Sequence, residues 1–213
     1  MFKNPPAFSL LELLLVIALV ATLAGALGLT LRAPTGAVAL QAAQGTLAGL
    51  CGAARARAAF VGANTRLVVC ADPADAAGAL RWWQIVQEDA ANPGRWLADG
   101  GGVWLPRGVY AVPPPGAAVP GDPAWPAARR STALSSPPQA MTINGAAAGL
   151  CFYVQFTPRG TTGGGNLVLA AGRPAADPTG FPCALENSDD VRGVLLRASG
   201  AVTMLNDASA FGP

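Results

Sequence analysis

Apolar and polar positions change their spacing three times along this chain. From residue 10 to residue 31 the sequence is apolar or uncharged except at Glu12, with Lys3 ahead of it and Arg32 behind it. The uninterrupted part, residues 13–31, spans 19 residues. At helical rise that is about 28 Å, close to the thickness of a bilayer's hydrocarbon core. Gly25 and Gly28 weaken this helix locally. Pro34 and Gly36 then mark a kink or short break. From about residue 37 to residue 59 the apolar spacing is near-helical. Val38, Leu40, Leu47, Leu50 and Phe60 form a stripe, and Gln41, Gln44, Arg55 and Arg57 supply polarity. Alanine fills the rest and favours helix. The Gly62-Ala63-Asn64 run carries the chemistry of a helix stop.

Beyond that stop the period falls to two. Strands are predicted at 66–70, 81–87, 95–97, 102–105 and 108–112, with a turn at Asn92-Pro93-Gly94. Residues 113–138 are proline-rich and aperiodic, which predicts a surface excursion or flexible loop. Strands return at 151–156 and 166–170, separated by a glycine-rich turn at 157–165. After a loop holding Pro174, Pro178 and Pro182, residues 191–197 and 201–205 form a last hairpin around Ser199-Gly200. Helix first and strands afterwards, without alternation, predict an α+β fold: a long N-terminal helix, half membrane-spanning and half amphipathic, packed on an antiparallel β-sheet domain.

Composition narrows the chemistry. Of the 213 residues 52% are hydrophobic, and the net charge is +2. Once the apolar segment is set aside, one soluble domain of ordinary size remains. The charge balance makes no electrostatic case for nucleic acid. Histidine is absent, which excludes Ser-His-Asp and Cys-His catalysis and histidine-ligated metals. No nucleophile–base constellation is visible, so no enzymatic activity and no cofactor are expected. Gly163-Gly164-Gly165 lacks the lysine and following helix of a phosphate loop and reads as a turn. Asp189 and Asp190 are too few oxygens for calcium and read as a solvated loop. Trp82, Trp83, Trp96 and Trp104 read as core or sheet-face aromatics. Arg55 and Arg57, two apart, point to different helix faces.

Glu12 is the position that composition does not explain. A charge inside a bilayer-length segment costs about 2.5–3.5 kcal/mol on insertion scales, so it is normally retained for a function. Its context is Ala7-Phe8-Ser9-Leu10-Leu11-Glu12: a short polar leader, a small residue, then Phe, with Glu at the fifth position counted from that Phe. This pattern resembles the prepilin signal of type IV pilins and pseudopilins. A plain signal anchor with an incidental Glu is the alternative. The resemblance implies cleavage between Ala7 and Phe8, N-methylation of Phe8 by the same prepilin peptidase, and retention of the apolar helix. The family usually has Gly where this chain has Ala7. Glu12 would neutralise the new amine of Phe8, its own or a neighbouring subunit's, as desolvated charges require. The implied organisation is a leader at 1–7, a transmembrane and filament-core helix at 8–32, its amphipathic continuation at 33–63, and a periplasmic sheet domain at 64–213 with the loop 113–138. The implied setting is the bacterial inner membrane, crossed once.

The later residues are similar to one branch, the GspH/FimT-type minor pseudopilins and minor pilins. The carriers are Ala53-Ala54-Arg55-Ala56-Arg57-Ala58-Ala59-Phe60 before a Val-rich strand, Trp82-Trp83, the Phe156-Thr157-Pro158-Arg159-Gly160 turn, and Ser199-Gly200-Ala201-Val202. The resemblance implies a structural subunit of a type II secretion pseudopilus or a type IV pilus. Its partners would be the prepilin peptidase, other pilin or pseudopilin subunits, an inner-membrane assembly platform and membrane lipid. The alternative is a membrane-anchored binding module for DNA uptake, for which Arg192 and Arg197 are the nearby cations, beside Asp189 and Asp190. Four cysteines, Cys51, Cys70, Cys151 and Cys183, contain no CxxC pair. In an exported domain an even count fits disulfides, with three full pairings possible, and a set of buried thiols is the alternative. Cys151 with Cys183 is slightly favoured, because a bridge there would pin the proline-containing loop to the sheet.

Overall fold

The computed structural model describes residues 10–30, 36–72, 75, 77–117, 125–175, 181 and 183–211. The chain divides into two compact units, Met1–Thr35 and Gly36–Pro213. The first contains helix α1, Leu10–Thr30. The break expected at Pro34 lies outside the described residues.

The second unit begins with helix α2, Gly36–Val61. Its buried positions are Ala39, Leu40, Ala43, Gln44, Leu47, Cys51, Ala54 and Ala58, recurring every three or four residues as one face of a helix must. Two members of the expected stripe are not on this face: Val38 and Phe60 are exposed, and small alanines take their place. Gln44, one of the residues that supply polarity to the predicted helix, is 1% exposed. The helix ends where the sequence stops it. Gly62 takes φ +66°, and its N–H donates to Ala58 O at 3.1 Å.

Among the described residues the helix leads into eleven strands, in two sheets rather than one. In the first sheet β1 (Thr65–Cys70) lies between β7 (Ala146–Phe156) and β2 (Trp82–Glu88), antiparallel to both. β7 pairs with β6 (Gln139–Ile143), and β6 meets β3 (Trp96–Ala98) through one parallel contact, Trp96 opposite Ile143. β3 returns to β2, so five strands close into a ring, and β4 (Val103–Trp104) extends β2. Alternating side chains give the ring two faces. One face carries a small cluster of Val68, Val86, Trp96, Met141, Ile143 and Cys151. The other carries Leu67, Val69, Trp83, Phe152, Val154 and Phe156 into the main core with Leu40 and Leu47 of α2.

The second sheet runs β11 (Val202–Leu205), β10 (Val191–Leu196), β8 (Gly165–Pro174), β5 (Val109–Ala111), with β9 (Cys183–Leu185) on the far end of β8. All its pairings are antiparallel. Helix α2 packs on strands of both sheets. The α+β reading therefore holds, with the single antiparallel sheet replaced by two sheets and one parallel contact.

The proline-rich segment departs furthest from expectation. Residues 118–124 lie outside the described residues, but 125–138 are anchored to the core by three of their side chains. Trp125 and Leu134 are buried, and Ser131 is completely so. The Ser131 hydroxyl accepts the Val168 N–H at 3.0 Å, and the Trp125 indole donates to Arg129 O at 2.8 Å. Aperiodic backbone can be buried when side chains satisfy its neighbours' polar groups, and periodicity is blind to that.

Candidate functional site

Helix α1 is apolar on every side whose side chains are described. Leu10, Leu13, Leu14, Leu15, Val16, Ile17, Leu19 and Val20 are each at least half exposed. Thr22 turns its hydroxyl inward, donating to Leu19 O at 2.8 Å, so it presents no unmet polar group. A helix that is hydrophobic all round belongs in lipid or among other helices. Glu12 lies near the N-terminal end of α1. Ala7 and Phe8 fall outside the described residues.

Helix α2 is itself long and apolar enough to cross a membrane. Eight of α2's residues are buried in a core of this chain, so α2 is a core helix, and α1 is the better candidate for lipid.

The outer face of α2 is unusually bare. Gly45, Gly49 and Gly52 are exposed, and a Cβ on any of them would meet nothing within 4 Å. Each costs about 0.8–1.0 kcal/mol of helix stability relative to alanine. Among the described residues no contact at these positions repays that cost. At spacings of four and three, the three glycines keep one strip of the helix flat. Flat strips of this kind let a second backbone approach closely.

Three separately read motifs meet beside this strip. The side chain of Arg55 lies against Gly160 of the 157–160 turn and Gly200 of the last hairpin. Both glycines have positive φ, +71° and +74°. A Cβ on Gly200 would stand 2.1 Å from Gly160 O and 2.9 Å from Arg55 Cδ. The turns are closed by Gly160 N–H to Thr157 O and Gly200 N–H to Arg197 O, both 2.7 Å. Together with Gly52, Ala56 and Arg159 they line a shallow groove of about 510 Å³. Arg57 points elsewhere, as its position predicts. It pairs with Asp99 at 3.1 Å and donates to Gln87 Oε1 at 3.0 Å.

The remaining candidates separate. Arg192 borders a hollow with Gln41, Gln44 and Met204, whereas Arg197 lies in the turn after β10. Five residues apart on extended chain, roughly 16 Å, they do not converge. Asp189 is taken up in an ion pair with Arg129. Trp83 and Trp96 are buried and Trp104 is half exposed, which agrees with sheet and core roles. All four cysteines are buried. Cys151 belongs to the ring cluster and Cys183 to the main core, so the favoured Cys151–Cys183 pairing loses its support. The register instead sets Cys70 directly opposite Cys151.

One feature of the ring escaped the sequence. The Arg66 guanidinium lies between the Trp96 and Tyr153 rings, 4.0 and 3.9 Å from their centroids, and its Nε donates to Gln155 Oε1 at 3.0 Å. Burial pulls its pKa below the usual arginine value, while the Tyr153 and Glu88 charges oppose that shift. Alternation placed Arg66 on the same strand face as Val68. Only the β1–β7 and β2–β3 registers bring the aromatics to it.

No protein-family profile matches the chain. No curated protein matches it either. It is similar to the minor pseudopilin EpsH from the type 2 secretion system of Vibrio cholerae, at 9% identity and a TM-score of 0.43, over 78% of this chain and 95% of that one. A second EpsH structure from Vibrio cholerae gives 13% and 0.42, over 78% and 92%. The type IV minor pilin FimU of Pseudomonas aeruginosa gives 13% and 0.40, over 78% and 87%.

Proposed function

We propose that this chain is a minor pilin or pseudopilin. It is held in the inner membrane by α1, processed at Ala7–Phe8, and assembled with other pilin-class subunits into a type II secretion pseudopilus or type IV pilus. The observation that carries this reading is α1 itself: an all-apolar helix with one carboxylate, Glu12, set where a leader, a small residue and Phe precede it. The bare outer face of α2 supports it, because exposed helical glycines that cost stability in the monomer make sense in a packed assembly. The work is contact and assembly rather than catalysis, with the sheet domain on the periplasmic side.

Intact-mass analysis of protein extracted from membranes tests the processing step. The expected species begins at Phe8 and carries one added methyl group. A chain beginning at Met1, or beyond residue 31, would overturn the reading.

The glycine face makes a second expectation. Gly49→Ala should raise the stability of the folded chain by about 0.5–1 kcal/mol, read as a higher unfolding midpoint. Gly49→Leu should also leave the fold intact, since nothing lies within 4 Å of that position. Incorporation into filaments should nevertheless fall with leucine. Equal incorporation of the leucine variant and the wild type would remove the glycine face from the assembly surface.

A further inference from the structure

We propose that Cys70 and Cys151 form a disulfide that locks β1 to β7, leaving Cys51 and Cys183 as thiols. The two cysteines are facing residues of the β1–β7 ladder. The next pair along, Ala71 and Leu150, is joined by the Ala71 N–H to Leu150 O bond at 2.8 Å. Alternation of an antiparallel ladder then makes Cys70/Cys151 a non-hydrogen-bonded pair, the kind with Cα atoms about 4.5 Å apart. That separation falls within the roughly 4.4–6.8 Å that a disulfide spans. Facing residues of a ladder project to the same side, here the side of Val68, with Cys151 in its cluster. Neither Cys51 on α2 nor Cys183 on β9 faces a cysteine across a ladder.

The surroundings decide when the bridge forms. Cys70 is 5% exposed and Cys151 is not exposed. Burial pushes the Cys151 thiol up to about 12, with Cys70 and Asp72 adding to the shift. Burial also raises Cys70, whose Sγ lies 3.9 Å from Asp75 Oδ2. The thiolate is the attacking species, so the folded dithiol exchanges slowly at neutral pH. Formation therefore belongs to folding, before β1 and β7 close. The Cys70 thiolate attacks glutathione disulfide, forming a mixed disulfide and releasing one glutathione thiolate. The Cys151 thiolate then attacks the Cys70 sulfur of the mixed disulfide and releases the second. Two electrons pass to glutathione, and the two cysteine protons end on its two thiols. Formation in the cell rests on the exported-domain reading; the pairing itself does not.

The test refolds the full chain in detergent micelles with reduced and oxidised glutathione, followed by alkylation, trypsin and mass analysis. Cleavage after Arg66, Arg81, Arg130 and Arg159 places Cys70 in peptide 67–81 and Cys151 in peptide 131–159. The expected product is these two peptides joined, two hydrogens lighter than their sum, with Cys51 and Cys183 alkylated. The bridge closes a loop of about eighty residues. The oxidised chain should therefore melt about 10 °C above the reduced one. Alkylated Cys70 and Cys151 after refolding, or a bridge to Cys51 or Cys183, would overturn the pairing. If the bridge forms in vitro but is missing from chains taken from membranes, the pairing stands and the exported-domain reading falls.

Discussion

Glu12→Ala is expected to insert into the membrane and lose its leader normally, yet to incorporate into filaments at less than about a tenth of the wild-type level. If Glu12 were only tolerated, its removal should help, because about 2.5–3.5 kcal/mol of insertion penalty disappears. If it pairs with the Phe8 amine of an adjacent subunit, removal leaves that amine buried without a partner. Breaking a buried pair by deleting one member costs about 3–5 kcal/mol, and each 1.4 kcal/mol is tenfold in an equilibrium. The loss in assembly should therefore exceed the gain in insertion. Glu12→Asp keeps the charge with one methylene less reach and should fall between. Crosslinking or co-purification with the other filament subunits reads the effect, with fractionation as the control for insertion. Wild-type incorporation of Glu12→Ala would make the carboxylate incidental, and the proposed function would lose its main support.

The elements that periodicity made visible are those whose side chains alternate or repeat. The α2 helix, its stop at Gly62, and strands β1, β2, β3, β10 and β11 all announce themselves this way. Strand β6 did not, because Gln139–Ile143 mixes small and polar residues. Its turn carried a sign in the sequence that the strand pattern passed over. Asn144-Gly145 takes φ of +53° and +82°, as a two-residue hairpin of primed type requires, and Asn-Gly is the strongest short-range sign of one. Trp125 and Leu134 were hidden by prolines. A large apolar side chain anchoring irregular backbone leaves no period to find. For the site, the leader pattern and Glu12 are read from the sequence alone, and Ala7 and Phe8 lie outside the described residues. The Arg55 groove and the Arg66 stack were not legible there, because each joins residues far apart in sequence and depends on which strand lies beside which.

Gln44 shows the same limit most sharply, and it carries the largest expected effect on stability. The sequence offered it only as part of the polarity of α2. The structure instead buries it, with Nε2 donating to Gly193 O and Leu205 O, both at 2.8 Å. Gly193 and Leu205 face each other across β10 and β11, so one amide ties the helix to both strands of the last hairpin. Gln44→Ala removes two hydrogen bonds and leaves both carbonyls short of a donor, at about 1 kcal/mol per bond plus the lost packing. A loss of about 2–4 kcal/mol is expected, measured by denaturant midpoint. Gln44→Glu keeps the shape and separates packing from hydrogen bonding. The carboxylate would sit buried against two carbonyl oxygens, which raises its pKa above the unfolded value of about 4.3. Below the unfolded value the variant carries a neutral carboxyl with one O–H to donate, and it keeps part of the tie. As pH climbs through the raised folded value that stability is lost. Relative to wild type, Gln44→Glu should therefore be mildly impaired near pH 4 and severely impaired at pH 7. A deficit independent of pH would mean that the side chain is not held against those carbonyls.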